Sequence, residues 1–134
     1  MRKIITALAI SALALGGSAV SAKQTATEKG EAQLQKLIEG RTAGEPKNCI
    51  NTMRRDGMRI IDRTAIVYDA GKTIWVARPT DARQLRRTDI LVIDRVNGSQ
   101  LCTNDTMYTI DQSSGMYSGA VFLKDFVPYT KSED

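Results

Sequence analysis

The sequence predicts a mainly β (α+β) domain: a small antiparallel β-barrel or sandwich of about six to seven short strands, preceded by a short N-terminal helix. Three observations predict this class. From residue 48 onward, apolar and polar residues alternate with period two, and β-branched residues are frequent. Turn residues interrupt the alternating runs about every eight to twelve positions. Before residue 48 the apolar positions follow helical spacing instead, which places the helix first.

The helical pattern extends from Glu31 to Glu39, and it places three apolar residues on one face: Leu34, Leu37 and Ile38. Gly40 can end the helix in a left-handed conformation. A helix of two to three turns is marginal alone, so its apolar stripe must pack on the rest of the domain. Residues 23–30 are polar and are predicted to form a flexible leader, which leaves residues 31–134 as a single globular domain.

Pro46 precedes the first predicted strand and Pro79 follows the central one, as expected for a residue that cannot donate to a β-ladder. The predicted strands are 49–52, 58–61 continuing after an interruption as 64–68, 73–77, 90–96, 99–102, 106–110 and 120–123. The clearest turn signals between them are Gly71, Asn97-Gly98 and Ser113-Ser114-Gly115.

The first residues have the organisation of a signal peptide. Two basic residues at positions 2 and 3 precede an apolar run from Ile4 to Leu15, and Val20-Ser21-Ala22 offers small residues for cleavage between Ala22 and Lys23. A run of about twelve apolar residues is too short for a hydrocarbon core that needs about twenty. The sequence therefore predicts a cleaved signal peptide at residues 1–22, a periplasmic or secreted protein, and no transmembrane segment after cleavage.

The positive charge is concentrated in the centre of the chain. The formal net charge is +4, and between Arg54 and Arg95 ten Lys and Arg residues face six Asp residues, with nine of the ten being Arg. Arginine favours planar, bidentate contacts with carboxylate or phosphate. A surface for an anionic partner is therefore predicted at Arg54, Arg55, Arg59, Arg86 and Arg87. The alternative is a solvated face in which these arginines pair with neighbouring aspartates.

Cys49 and Cys102 are the two cysteines of the chain. An even count in an exported protein predicts one disulfide, because the compartment outside the membrane is oxidising. The alternative is a reactive thiol pair, but redox sites usually have only two residues between their cysteines. The long separation therefore favours a structural bridge.

The chain contains no histidine, which excludes Ser-His-Asp and Cys-His catalysis. Zinc binding would need the cysteines already assigned to a bridge. No catalytic residue, cofactor or metal site is predicted. Nucleic acid is not expected as a partner, because the protein is predicted to be exported and no aromatic residue stands between Arg54 and Arg63. Hydrolysis by two carboxylates remains open, with candidates Asp89, Asp94, Asp105 and Asp111. For Asp105, a role in binding backbone amides of a turn is favoured.

Four segments together resemble a family of small exported Gram-negative bacterial proteins, found notably in sphingomonads and known as a domain of unknown function. The segments are Gly40-Arg41-x-Ala43-Gly44-x-Pro46-x-x-Cys49-Ile50, Leu85-Arg86-Arg87-x-Asp89-Ile90-Leu91-Val92, Gly98-Ser99-Gln100-Leu101-Cys102-x-x-Asp105 and Leu123-x-Asp125-Phe126-Val127-Pro128-Tyr129. The resemblance spans Leu34 to Tyr129. It implies a periplasmic or secreted location and a matched pair of cysteines, and it brings no activity, ligand or catalytic residue.

Three functions are compatible with these observations. The favoured one is a non-enzymatic binding or envelope-associated accessory domain, whose partner is an anionic envelope component or an exported protein. The second is an inhibitor of an exported hydrolase, although inhibitors of cationic lysozymes should present an acidic face. The third is a hydrolase that uses carboxylates alone.

Overall fold

A computed structural model describes residues 23–53 and 57–132. The predicted signal peptide, residues 1–22, and two of the predicted surface arginines, Arg54 and Arg55, lie outside the described residues. The elements in chain order are α1 Ala26–Ile38, β1 Arg41–Ala43, β2 Cys49–Asn51, β3 Met58–Ile61, β4 Ala65–Asp69, β5 Thr73–Pro79, β6 Asp89–Asp94, β7 Gln100–Cys102, β8 Thr106–Asp111, β9 Tyr117–Val121 and β10 Leu123–Lys131. The mainly β (α+β) class is therefore confirmed, with more strands than the predicted six to seven.

Helix α1 begins five residues before its predicted start at Glu31. Thr25 and Glu28 form a capping box, in which the Thr25 hydroxyl accepts from the Glu28 N–H at 3.2 Å and Glu28 Oε2 accepts from the Thr25 N–H at 2.7 Å. The prediction that residues 23–30 form a flexible leader is thus wrong for residues 26–30, which lie in the helix. Gly30 is buried, and a Cβ there would collide with the Thr64 hydroxyl, so glycine allows α1 to approach the β3–β4 turn closely.

Three antiparallel sheets make up the β structure. The largest has five strands in the order β1-β10-β5-β4-β3, the second has three in the order β6-β8-β9, and the third pairs β2 with β7. In the last of these, Cys49 lies directly opposite Cys102, and the two cysteines form the predicted disulfide. The bridge joins two strands of three residues each, which are too short to form a stable pair alone.

The five-stranded sheet has an apolar core on each of its faces. On one face Leu34 of α1 packs with Ile74 and their neighbours. On the other face Phe126 packs with Leu101 and Met107, which come from the smaller sheets. The arrangement is therefore layered like a sandwich, with α1 outside the five-stranded sheet and the smaller sheets on its opposite side.

The predicted alternative of a closed barrel is not observed. Strand β3 is one edge of the five-stranded sheet and β6 is one edge of the three-stranded sheet, and among the described residues no ladder joins them. A barrel requires every edge to be paired. The flank of the sandwich between β3 and β6 is consequently open.

The three-stranded sheet exposes part of its outer face, defined here by Ile90, Tyr108 and Tyr117. Ile90 and Tyr117 are exposed, and the rings of Tyr108 and Tyr117 lie 5.9 Å apart. Met107 and Val121 of the same sheet point the opposite way, into the core. The outer face is therefore the side of the sheet that does not contact the core.

Candidate functional site

The open flank between β3 and β6 forms a cleft of about 1040 Å³. One wall is β6 with the residues just before and after it, and the other is the edge strand β3. The segment after β2, the turn before β7 and one residue of α1, Gln33, complete its border. A volume of this size is in the upper range of small-molecule pockets in proteins.

The β6 wall is built by strict alternation along the chain. Arg87, Asp89, Leu91, Ile93 and Arg95 all line the cleft. Asp89, Leu91 and Ile93 are two residues apart in β6, so their side chains point to the same face. Arg87, in the turn that enters β6, and Arg95, just after the strand, place an arginine at each end of this segment.

The floor of the cleft is apolar and continuous with the interior of the sandwich. Leu91 and Ile93 from β6, with Met58 and Ile60 from β3, line the cleft and also pack against the core beneath the five-stranded sheet. A ligand with an apolar portion could therefore bury that portion against surface that belongs to the core.

Hydrogen bonds fix the segment that enters β6. The Arg63 N–H donates to the Leu85 carbonyl at 2.8 Å, and the Arg87 N–H donates to Asp62 Oδ1 at 2.6 Å. Leu85 is buried in the core between the sheets. The backbone at Arg87 is thus anchored to the β3–β4 turn while the exposed side chain borders the cleft.

The three arginines of the cleft have different surroundings. The Arg59 guanidinium lies 3.6 Å from an Asp69 carboxylate oxygen, an ion pair between side chains that are 49% and 40% exposed. Arg95 donates to the hydroxyl of Thr52 at 2.7 Å. Among the described residues, no hydrogen bond or ion pair engages the guanidinium of Arg87, which leaves its five donors for another group.

Asp89 is the unusual member of the site. The residue is 7% exposed, and within the described part of the chain neither carboxylate oxygen has a hydrogen-bond partner. Buried carboxylates are normally paired or accept several hydrogen bonds. Asp89 is therefore a buried acceptor without a donor, in a cleft bordered by guanidinium groups.

Another buried carboxylate, that of Asp105, has hydrogen-bond donors, as buried carboxylates normally do. It accepts from the Val96 N–H at 3.3 Å and from the Cys102 N–H at 2.8 Å, as its predicted role in a turn requires. These bonds brace the turn that follows Arg95, and the Thr52 N–H bonds the Ser99 carbonyl at 3.1 Å at the same end of the cleft.

Asp111 also serves a turn. It accepts hydrogen bonds from the hydroxyls and backbone amides of Ser113 and Ser114. These bonds, those of the Ser113 side chain first among them, lower the pKa of the Asp111 carboxyl to about 2. Asp94, the fourth candidate carboxylate, is exposed on β6.

The structure places two of the five predicted surface arginines, Arg59 and Arg87, on the cleft. Arg86 is exposed and does not line it. Sequence reasoning did not select Arg95, nor Asp89 as a partner of the arginines. The period-two spacing from residue 87 to residue 95 was the signal that could have grouped them.

Within residues 23–53 and 57–132, no group of His, Cys, Asp or Glu side chains is arranged to hold a metal ion. No helix of that same part of the chain is long and apolar enough to cross a membrane.

Comparison of the chain with protein-family models, with curated proteins and with solved structures finds no match.

Proposed function

We propose that the protein is an exported, non-enzymatic binding domain that holds an anionic amphiphile in the cleft between β3 and β6. The observation that carries this proposal is the guanidinium of Arg87, which no group among the described residues engages, in a cleft with an apolar floor. Arg59 and Arg95 border the same cleft.

The charges favour an anion. Of the three guanidinium groups, one is paired with Asp69 and one donates to a neutral hydroxyl. Hydrogen bonds from a guanidinium to phosphate or carboxylate are charge-assisted and often bidentate, and they are about twice as strong as neutral ones. An anionic head positioned at Arg87 gains such bonds without first breaking an ion pair of this arginine.

The floor favours a ligand with an apolar portion. Burial of hydrocarbon against Leu91 and Ile93 would contribute about 25 cal/mol for each Å² removed from water. Lipids combine such a chain with an anionic group, and they are constituents of the cell envelope. A single-chain amphiphile therefore suits both parts of the cleft.

Export is supported by the pattern of residues 1–22 and by the Cys49–Cys102 disulfide, since such bridges persist in oxidising compartments. The family resemblance implies the same periplasmic or secreted location. A binding role is favoured over hydrolysis because two-carboxylate mechanisms need a pair. Among the described residues that line the cleft, Asp89 is the one carboxylate.

The test is calorimetric titration of the mature protein with decyl phosphate, below the concentration at which the detergent forms micelles. Arg87→Gln should weaken binding about tenfold, the loss expected for a charge-assisted hydrogen bond. Arg86→Gln is the matched control, because this neighbour is exposed and does not line the cleft. Its affinity should stay within about twofold of wild type.

Raising the salt from about 0.1 M to about 0.5 M should also weaken binding, because the contacts at the rim are screened. Equal effects of the two substitutions would contradict the proposal, since the anion would then lie outside the cleft. Absence of binding to decyl phosphate would also contradict it.

A further inference from the structure

Binding of an anion at Arg87 does not explain why the cleft contains the buried, unpaired carboxylate of Asp89. Its carboxylate is buried in the wall of the cleft and both oxygens lack a donor among the described residues, although Arg87, two residues earlier in the turn that leads into β6, lines the same cleft. The described residues of the cleft form no ion pair with it. An anionic ligand would add repulsion to this arrangement unless it also brought a donor.

A buried acceptor without a partner costs free energy in the folded protein. A hydrogen-bond donor on the ligand would remove that cost when the ligand binds. A site built to bond a donor also rejects the analogue that lacks it, because the carboxylate then stays unpaired. Asp89 can therefore act as a specificity element.

We propose, building on the function proposed above, that Asp89 accepts a hydrogen bond from the ligand head, so that the cleft selects amphiphiles whose anionic group has a donor a few atoms away. The donor is an ammonium or a hydroxyl group. The anion is held at Arg87, the donor at Asp89, and the apolar chain on Leu91 and Ile93.

The separation along the chain limits the size of this head. Arg87 lies in the turn that leads into β6, two residues before Asp89, and two residues of chain span at most about 7 Å. An anion at Arg87 and a donor at Asp89 can therefore be bridged by a spacer of two or three atoms, such as that of phosphoethanolamine or phosphoglycerol. The Asp89 oxygens are covered in this structure, so the carboxylate must turn toward the ligand, a rotamer change of a common kind on binding.

The test compares decyl phosphoethanolamine with decyl phosphocholine, again below micelle formation, because neither ligand carries a glycerol hydroxyl as a second donor near the phosphate. The two share chain, phosphate and net charge, but three methyl groups replace the donors in choline. The wild-type protein should bind the ethanolamine ligand at least about tenfold more tightly. Decyl phosphoglycerol forms a third arm and presents hydroxyl donors instead.

Asp89→Leu removes the acceptor and should reduce the preference for ethanolamine over choline to about twofold or less. Asp89→Asn changes the shape least and should reduce the preference partly, which keeps the test valid if the leucine variant does not fold. Asp94→Asn is the control, because this exposed aspartate lies on the same strand. It should leave the preference unchanged.

A preference of wild type for glycerol over choline that also depends on Asp89 would identify a hydroxyl as a suitable donor, and a preference confined to ethanolamine would identify the ammonium. Equal binding of ethanolamine and choline ligands, still weakened by Arg87→Gln, would overturn this inference and leave the anion site intact. A preference that persists in both Asp89 variants would also overturn it. If none of these phosphodiesters binds and decyl phosphate does not bind either, the proposed function itself fails.

Discussion

The Arg95 guanidinium donates a hydrogen bond to the Thr52 hydroxyl at 2.7 Å, and this bond joins the end of β6 to the segment after β2. Thr52 is buried, and its N–H bonds the Ser99 carbonyl. The two contacts hold together the end of the cleft that lies nearest the disulfide-linked strands.

Thr52→Val preserves the side-chain shape but removes the hydroxyl that Arg95 bonds. We expect the free energy of unfolding to fall by about 1 kcal/mol, the usual net value of one hydrogen bond. Urea denaturation would measure the change. The control is Thr42→Val at an exposed position of β1. If both variants are as stable as wild type, the bond does not brace the cleft.

Asp89→Asn removes a buried charge that has no partner. We expect the free energy of unfolding to rise by about 1 to 3 kcal/mol, because the unpaired carboxylate is costly to desolvate. Asp94→Asn, on the exposed side of the same strand, should change stability by less than about 0.5 kcal/mol. A less stable Asp89→Asn protein would show that the carboxylate has a stabilising partner.

The Cys49–Cys102 disulfide links the two short strands β2 and β7. Cys49→Ser should lower the free energy of unfolding by about 2 to 5 kcal/mol, the usual cost of removing a native bridge from a small disulfide-linked domain. Thermal melting would measure the loss. The double variant Cys49→Ser, Cys102→Ser controls for reactions of the remaining thiol. Melting of both variants at the wild-type temperature would refute a structural role.

The ion pair between Glu31 and Arg78 should make the docking of α1 sensitive to acid. Arg78 of β5 donates two hydrogen bonds to the Glu31 carboxylate, at 2.6 and 3.0 Å, and these bonds lower the pKa of Glu31 below its ordinary 4.5. A carboxyl whose folded pKa is depressed stabilises the protein above its unfolded pKa. This contribution is lost as the pH falls through the depressed folded pKa.

Glu31→Gln should therefore be less stable than wild type at about pH 7, and the difference should shrink as the pH falls below about 4.5. Denaturation across this range would measure it, with Glu45→Gln in an exposed loop as the control. A stability difference that does not vary with pH would show that the pair contributes nothing.

Local patterns predicted much of the fold, and its longest strand shows where they fail. The sequence indicated β structure only as far as residue 123 near the C-terminal end, whereas β10 continues to Lys131 through Pro128. Proline normally argues against a strand between two others. Here the Pro128 carbonyl accepts from the Gly44 N–H at 2.8 Å. The backbone N and O of one strand residue point to the same side of the strand, so the Pro128 nitrogen also faces Gly44, beyond the end of β1 at Ala43. The missing N–H of Pro128 therefore removes no hydrogen bond of the ladder between β1 and β10.

The site was predictable in part. Clustering of arginine in the sequence indicated Arg59 and Arg87, and the guanidinium of Arg87 bonds no group among the described residues. The same clustering included Arg86, which does not line the cleft, because composition does not show which of two neighbouring exposed residues borders a site. The unpaired state of Asp89 depends on which groups surround it in three dimensions, and no local pattern carries that information.

The measurement that tests the account most directly is a map of ligand-induced chemical-shift changes on ¹⁵N-labelled protein titrated with decyl phosphate. We expect the largest changes at the backbone amides of residues 87–95, of Met58–Ile61 and of Gly98 and Ser99, which surround the cleft. They should be lost in Arg87→Gln and kept in Arg86→Gln. Changes centred instead on Tyr108 and Tyr117, on the outer face of the three-stranded sheet, would contradict a binding site between β3 and β6.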